Sequence, residues 1–244
     1  MRLRLTLRDP EQGHVVLPTG YNYLIQAAIY SNVSRELADF LHDKGYLFGK
    51  RRFKMFTFSR LDGHCMLNRD KKQFVFEGDI TLYISSPIER FVQELATAIV
   101  KRGCIVLGRN TLKVADLAFL AKPALKSREL RIRMLSPLTV YSTLMTPDGK
   151  KKTYYFSPYE KEFPALVNSN IKKKHFLISG KSIKSDLKVK PLRVREAIIM
   201  YKGTVVKGWT GHFLLSGPKS LIMTAYETGL GAKNSQGFGM FEVT

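Results

Sequence analysis

"SSPIERFVQELATAIVKRG", residues 85–103, and "SGPKSLIMTAYETGLG", residues 216–231, follow the same order of features. Each runs from serine through proline into a helical pattern and ends at glycine, before a strand. Apolar residues recur at helical spacing in both, at Phe91, Leu95, Ala98 and Ile99 and at Leu221, Ile222, Ala225 and Tyr226. This echo favours two copies of one β-α-β-β-α-β unit, the ferredoxin-like arrangement, with chance similarity of helix-start chemistry as the alternative.

The rest of the chain fits the same order twice. In the first half, strand patterns cover 2–8, 53–61, 73–85 and 104–121, with helices over 21–33 and from Ser34 onward. In the second half they cover 129–135, 138–144, 152–156, parts of 187–215 and 238–243, with a helical segment near 159–174 interrupted or restarted at Pro164. The sequence therefore predicts an α+β protein of two tandem ferredoxin-like domains, 1–122 and 128–244, joined near 123–127.

Charge is the strongest global property of the chain. Its 244 residues hold 40 Lys and Arg against 20 Asp and Glu, a net charge of +20, with 44% hydrophobic residues. Residues 1–122 carry 19 basic and 12 acidic side chains, a net +7, and residues 123–244 carry 21 and 8, a net +13. Such a surface attracts polyanions, and nucleic acid is the favoured partner. An anionic membrane surface is the rival, although the sequence contains no long apolar run, signal peptide or lipidation motif.

The two cysteines and the absent metal motifs narrow the chemistry. Cys65 and Cys104 have no second ligand at metal spacing, which predicts thiols in or near the core and a reducing cytoplasm. No H-x-x-x-H, paired C-x-x-C or clustered D-x-D pattern is present, so we expect neither a tightly held metal nor another cofactor. RNA can be cut without metal, because its 2′-hydroxyl supplies the nucleophile and the protein needs only an acid/base and a cation.

The glycine-rich loop (residues 229–239) lies in "GLGAKNSQGFGMFEV", residues 229–243. It fits neither a Walker loop nor a dinucleotide fingerprint. Its glycines permit positive φ and close approach of another group to the backbone. A bound phosphodiester and an unliganded connection between helix and strand are equally compatible with these residues.

His42 stands out among the five histidines because it follows Leu41 near the end of the short second helix. Tyr30 offers a phenol on the preceding helix, and Lys54 offers an ammonium at the start of a strand. Each residue also has a structural explanation: contact with a helix C-terminus, core packing and a solvated charge. From the residues alone, four other histidines stand nearly level with His42: His14, His64, His175 and His212.

Five stretches extend the argument beyond composition: "YNYLIQAAIYSNV", "LADFLHDKG", "KMFTFSRL", "SPYEKEF" and the terminal "GLGAKNSQGFGMFEV". Together they resemble the CRISPR-associated family-six repeat endoribonucleases of the RAMP superfamily, over essentially the whole chain. The resemblance implies a metal-independent endoribonuclease that binds CRISPR repeat RNA and cuts pre-crRNA once per repeat by 2′-hydroxyl attack. The products would carry a 5′-hydroxyl and a 2′,3′-cyclic phosphate.

The family's catalytic tyrosine, histidine and lysine map onto Tyr30, His42 and Lys54. Members vary at these positions, and Lys50, Arg51 and Arg52 are substitutes for Lys54. The predicted RNA-binding residues are those three, Lys190, Arg193 and Arg195, and, from the loop, Gly229, Gly231, Lys233, Asn234, Ser235, Gln236, Gly237 and Gly239. Trp209 and Tyr201 are candidates for stacking on bases.

The resemblance also has implications for the cellular location, the partners and the alternative function of the protein. It places the protein in a prokaryotic cytoplasm, without a membrane partner. It leaves a homodimer and association with other CRISPR-associated effector subunits open. The alternative function is a non-catalytic RAMP-superfamily RNA-binding subunit of a CRISPR effector complex.

Overall fold

Among its described residues, the first half contains nine strands, three α-helices and one π-helical turn. The computed structural model describes residues 1–11, 13–125 and 127–244, so Lys126 of the predicted join lies outside the described residues. The elements are β1 (Arg2–Arg8), β2 (His14–Pro18), α1 (Asn22–Ser31), α2 (Arg35–Asp39), a π-helical turn (Phe40–Lys44), β3 (Tyr46–Phe48), β4 (Arg51–Phe53), β5 (Thr57–Phe58), β6 (Asp62–Asn68), β7 (Gln73–Ser85), α3 (Glu89–Arg102), β8 (Cys104–Leu107) and β9 (Asn110–Leu120).

The second half repeats the plan with an added hairpin after its first strand. Its elements are β10 (Glu129–Met134), β11 (Tyr141–Met145), β12 (Lys151–Tyr155), α4 (Glu162–Ser179), β13 (Lys188–Tyr201), β14 (Thr204–Ser216), α5 (Lys219–Thr228), a 3₁₀ turn (Asn234–Gln236) and β15 (Phe241–Val243). The glycine-rich loop joins α5 to β15.

The two main sheets have the same strand order. In the first half β7 pairs with β1 and β2 along one edge and with β5 and β6 along the other, while β9 and β8 extend the sheet beyond β1. In the second half the order is β13-β14-β10-β15. The ferredoxin-like strands follow the order second, third, first, fourth in each sheet. They are β6-β7-β1-β9 in the first half and β13-β14-β10-β15 in the second. This order confirms the predicted tandem ferredoxin-like α+β fold.

Each half builds its own apolar core, and a third, smaller cluster lies in the second half. The first core contains residues between Leu3 and Leu112, and the second contains residues between Ile132 and Phe241. The third cluster is Ile199, Tyr201, Val206 and Phe238. Across the described residues, no helix has both the length and the apolar character needed to cross a membrane.

Arg2 ties the first strand of one half to the second half. Only 3% of Arg2 is exposed. Its guanidinium donates to the carbonyl oxygens of Phe241 at 2.9 Å and Tyr226 at 2.8 Å, and its Cζ lies 3.6 Å from the centroid of the Tyr226 ring. Burial lowers the pKa of Arg2 to about 10. Because a buried cation must be paired to be tolerated, these contacts fix the two halves in register.

Four local predictions are wrong for identifiable reasons. The strand expected over 53–61 is broken, because Met55 adopts a left-handed φ of 56° between β4 and β5. Pro164 does not interrupt α4, since it lies in the first turn, where a missing N–H costs no helical hydrogen bond. Cys65, expected in or near the core, is exposed on β6. Trp209 and Tyr201 are only 7% and 8% exposed, so neither can stack on a base in this structure.

Candidate active site

One face of α1 connects the first half to the glycine-rich loop. Asn22, Gln26 and Tyr30 are spaced four residues apart, so their side chains share a face of the helix. The Asn22 amide donates to the Gln236 carbonyl oxygen at 2.9 Å, and the Gln26 amide donates to that of Ser235 at 2.6 Å. The helix that presents Tyr30 therefore also holds the loop backbone.

His42 lies on the π-helical turn that extends α2. Its ring Nδ1 is 2.7 Å from Asp43 Oδ1, and the side chain is 76% exposed. The hydrogen bond to His42 lowers the pKa of the Asp43 carboxyl. Gly45 ends the turn with φ 62°, where a Cβ would come within 2.8 Å of the Phe53 carbonyl oxygen. Single π-helical turns inside helices occur frequently at functional sites.

Lys54 lies against the same turn. Its Nζ donates to the His42 carbonyl oxygen at 2.5 Å, and Arg52 Nη1 donates to the Asp43 carbonyl oxygen at 2.6 Å. Partial burial, followed by the neighbouring Arg52 charge, lowers the pKa of Lys54. Two cationic side chains thus fasten β4 to the turn that carries His42.

Tyr30 completes the group from the side of α1. Its ring centroid lies 6.3 Å from that of His42 and 5.9 Å from that of Phe56, edge to face in both cases. Burial raises the pKa of the Tyr30 hydroxyl to about 12, so this group stays protonated near neutral pH. The structure therefore brings Tyr30, His42 and Lys54 together from three separate segments.

A cleft of about 680 Å³, here called the central cleft, opens between the two halves beside Lys54. Its described lining includes five cationic side chains and no carboxylate. The lining comes from residues 51–56, from Tyr141, Ser142 and Thr143 of β11, from Asn170 and Lys174 of α4, from Thr228 and from residues 232–236. Such a surface suits a phosphate backbone.

Lys174 was not predicted as a site residue, although it lies at the centre of the cleft wall. It is 2% exposed. Its Nζ donates to the carbonyl oxygens of Gly229 at 2.8 Å and Gly231 at 3.3 Å, and to Asn234 Oδ1 at 2.5 Å. Burial lowers the pKa of Lys174 to about 7. An ammonium has three donors, so these contacts use all of them on the glycine-rich loop.

A sequence signal for Lys174 exists. The buried residues of α4 are Phe163, Val167, Asn170, Ile171 and Lys174, which form one helical stripe. A lysine on an apolar stripe is exceptional, because charged side chains are rarely buried without partners. In the sequence Lys174 follows Lys172 and Lys173, so charge alone does not distinguish it from its two neighbours.

The loop glycines are required by packing. All four predicted loop glycines have positive φ. A Cβ at Gly231 would overlap the Thr139 carbonyl oxygen, and one at Gly239 would overlap that of Leu230. These glycines are buried, so the structure gives them a role in shaping the loop, while their contact with RNA stays a prediction.

The polar loop residues Asn234 and Lys233 make different contacts: Asn234 bonds the loop backbone, and Lys233 lies over an aromatic ring of β11. Asn234 Nδ2 donates to the carbonyl oxygens of Leu230 at 2.8 Å and Phe238 at 3.0 Å, so its amide is committed to the loop itself. Lys233 has a left-handed φ of 57°, and its Nζ lies 5.1 Å above the Tyr141 ring. Strained backbone of this kind concentrates at functional sites.

The other predicted RNA contacts lie apart from the cleft. Lys50 is exposed in the turn between β3 and β4 and does not line the cleft. Lys190, Arg193 and Arg195 are exposed on β13, also outside its lining. Within the described ranges, no group of three or more His, Cys, Asp or Glu side chains is placed to hold a metal ion.

Comparisons with known proteins match both halves of the chain. Residues 16–120 match the family model "CRISPR-associated protein Cas6, N-terminal", and residues 120–243 match "CRISPR associated protein Cas6, C-terminal". The chain is 28% identical to "CRISPR-associated endoribonuclease Cas6 1" of Methanocaldococcus jannaschii, with 98% of this chain and 91% of the relative covered. It is 25% identical to "CRISPR-associated endoribonuclease Cas6" of Pyrococcus furiosus, with 99% and 88% covered.

A solved structure agrees with the sequence matches. The protein titled "CRISPR associated protein Cas6" superposes with a TM-score of 0.81 at 26% identity, covering 100% of this chain and 99% of that one. The matched regions span both ferredoxin-like halves, including the turn that carries His42 and the glycine-rich loop. The chain therefore belongs to the Cas6 family of CRISPR-associated proteins.

Proposed function

We propose that this Cas6-family protein is a metal-independent endoribonuclease that binds CRISPR repeat RNA and cuts pre-crRNA once within each repeat. The observation that carries the proposal is the meeting of Tyr30, His42 and Lys54 beside a cation-lined cleft. The name endoribonuclease, carried by the relatives from Methanocaldococcus jannaschii and Pyrococcus furiosus, supports it.

The reaction needs no group beyond RNA and side chains. The 2′-hydroxyl oxygen attacks the adjacent phosphorus and loses its proton, while the bond to the 5′-oxygen of the next nucleotide breaks and that oxygen gains a proton. The products are a 2′,3′-cyclic phosphate, which can open to a 3′-phosphate, and a 5′-hydroxyl. Two proton transfers and a charged phosphorane must therefore be managed.

His42 is proposed to move a proton. Because Asp43 engages Nδ1 at 2.7 Å, the ring's Nε2 is the atom left to exchange a proton with RNA. Tyr30 keeps its hydroxyl proton at neutral pH and serves as a hydrogen-bond donor to the reacting groups. Lys54 places positive charge beside His42, where it would stabilise the phosphorane oxygens.

The cleft is proposed to hold the RNA backbone next to these groups. Arg51, Arg52 and Lys233 offer phosphate contacts that make affinity fall steeply with salt. Under this proposal the half formed by residues 1–122 carries the chemistry, and residues 128–244 contribute the loop and more of the basic surface. Cleavage would take place in the prokaryotic cytoplasm. This proposal is compatible with a homodimer and with association with other CRISPR-associated effector subunits.

The test is cleavage of the CRISPR repeat RNA of the source organism in excess chelator. Versions with a single 2′-deoxy substitution and a length-matched unrelated RNA serve as controls. We expect one cut that survives the chelator, disappears with a deoxy at one position and leaves a 5′-hydroxyl. Specific binding without any cut would favour the non-catalytic RNA-binding subunit, and equal binding of unrelated RNA would refute both functions.

A further inference from the structure

Two amide oxygens in the central cleft lack a hydrogen-bond donor. Asn170, on α4, is 7% exposed, and its Oδ1 has no partner among the described residues. Gln236 Oε1, on the 3₁₀ turn of the glycine-rich loop, is buried and unpartnered in the same way. Both residues line the cleft. Buried polar groups without partners are rare in native proteins and call for an explanation.

The neighbouring cations do not supply the missing donors. Lys174 lies one turn after Asn170 on α4, but its three contacts are with Gly229, Gly231 and Asn234. The Lys54 ammonium donates to the His42 carbonyl oxygen instead. The cleft is therefore complementary to two kinds of group at once, since its exposed side chains Arg51 and Arg52 attract phosphate oxygens and its two amide oxygens need donors.

We propose that Asn170 and Gln236 form a subsite for one unpaired nucleotide of the RNA, and that their amide oxygens accept hydrogen bonds from it. This inference rests on the proposed function for the identity of the ligand as RNA. A nucleotide meets both requirements of the cleft, with phosphate oxygens for the cations and a base amino group or ribose hydroxyl as donor. Sulfate, which has no hydrogen-bond donor, matches only the cations.

A base amino group can act as the donor where the nucleotide is unpaired. A base paired in a helix has its Watson–Crick edge occupied, whereas a splayed base offers that edge to protein amides. The cleft volume of about 680 Å³ is within the range of small-molecule sites, about 300–1,000 Å³. Of the three proposed catalytic residues, Lys54 lines this cleft together with Asn170 and Gln236.

Asn170→Leu tests the subsite, because it removes the amide and keeps the branched shape of the side chain. A residue whose buried oxygen lacks a partner should lose no stability on this change, so the Tm should stay equal or rise. Affinity for repeat RNA should fall about 10-fold, equivalent to about 1.4 kcal/mol. Asn168→Leu is the matched control on the same helix, since the Asn168 amide bonds Asp186 at 2.7 Å and the Leu187 N–H at 2.9 Å. This control should lower the Tm and leave RNA affinity unchanged.

A substrate series then locates the donor. Binding is measured with repeat RNA made non-cleavable by one 2′-deoxy at the cut, with single changes at the three nucleotides on either side. Each change removes either a base amino group or a ribose hydroxyl. We expect one position where the modification lowers the affinity of the wild type about 10-fold and does not lower the affinity of Asn170→Leu further. The RNA group removed by that modification is the hydrogen-bond donor.

Three results would overturn the inference. In the first, Asn170→Leu binds unmodified RNA as tightly as the wild type. In the second, each RNA modification changes the affinity of both proteins by the same factor. In the third, Asn170→Leu has a much lower Tm than the wild type. Binding is read separately from cleavage, so a failure of the subsite leaves the wild-type cut intact. A failure of the proposed function appears first, as wild-type protein that shows no preference for repeat RNA.

Discussion

Replacing Lys174 with methionine tests whether the buried ammonium positions the glycine-rich loop. The change removes three hydrogen bonds from a charged donor to loop acceptors, each worth about 1.5–3 kcal/mol, or about 5–9 kcal/mol together. It also removes the free-energy cost of burying a cation. A fall of one in pKa corresponds to about 1.4 kcal/mol, so the fall from 10.5 to about 7 represents about 5 kcal/mol. The hydrogen-bond loss is the larger effect, and we expect the free energy of unfolding of Lys174→Met to be about 0–4 kcal/mol lower than that of the wild type at pH 7.

The pH dependence separates these opposing contributions. Because the pKa of Lys174 is lower in the folded protein than in the unfolded chain, the unfolded state binds more protons between pH 7 and 10.5. Stability therefore rises with pH in that window, and the cost of the charge is fully present below pH 7. Between pH 7 and 9 the wild type should gain about 2 kcal/mol relative to Lys174→Met.

Function should respond more strongly than stability. With the ammonium gone, the loop carbonyls lose their anchor, and the Ser235 and Gln236 backbone that holds α1 shifts with them. A displacement of about 1 Å at a reacting centre can cost about 100-fold in rate. We expect a loss of about that size in single-turnover cleavage, with Kd changed less than about threefold.

The control for Lys174→Met is Lys184→Met, which removes one exposed positive charge outside the cleft lining. Urea unfolding at pH 7 and 9 and single-turnover cleavage in chelator are measured for all three proteins. Equal cleavage rates for the two variants would refute the positioning role. An equal gain in stability from pH 7 to 9 in Lys174→Met and the wild type would refute the lowered pKa.

Three further predictions address the loop, the phenol and the cleft. Gly239→Ala should destabilise the protein by about 1–3 kcal/mol more than Gly149→Ala in urea unfolding, because both glycines are left-handed but only Gly239 is closely packed; equal losses would contradict this. Tyr30→Phe should keep its Tm and lose about 10- to 100-fold in cleavage rate, as expected for one hydrogen bond to a charged group; an unchanged rate would remove the hydroxyl from the mechanism. Arg51→Ala and Arg52→Ala should each reduce the slope of log Kd against log salt concentration by up to about 0.7, which is the value for one phosphate contact on a single strand. An unchanged slope would show that the arginine does not contact a phosphate.

The tandem ferredoxin-like fold could be predicted from the sequence because the evidence for it lies within short stretches of the chain. Helix-start residues and apolar spacing occur within each of the stretches 85–103 and 216–231 and predict α3 and α5 directly. Strand β6 was missed because all seven of its residues are exposed, so it shows no alternation of apolar and polar side chains. The bend at Met55 was hidden because nothing in its side chain signals a left-handed backbone.

The site was only partly readable because its decisive contacts join distant segments. The Asn22 amide and the Gln236 carbonyl are 214 residues apart in sequence. Lys174 carried a usable signal in its helical stripe, but its partners on the glycine-rich loop lie 55 to 60 residues away. Spacing identifies which side chains share an element, while contacts between elements depend on how the two halves pack.

The most direct test of the proposed function compares two histidines of similar local environment. His42 and His64 are 76% and 71% exposed, and each has Nδ1 within 3.1 Å of a carboxylate oxygen. Only His42 lies against Tyr30 and Lys54. In excess chelator, His42→Ala should lower the single-turnover rate of repeat RNA cleavage at least ~100-fold, as lost acid/base catalysis requires, while His64→Ala leaves it unchanged. Equal rates for the two variants would contradict the assignment of proton transfer to His42.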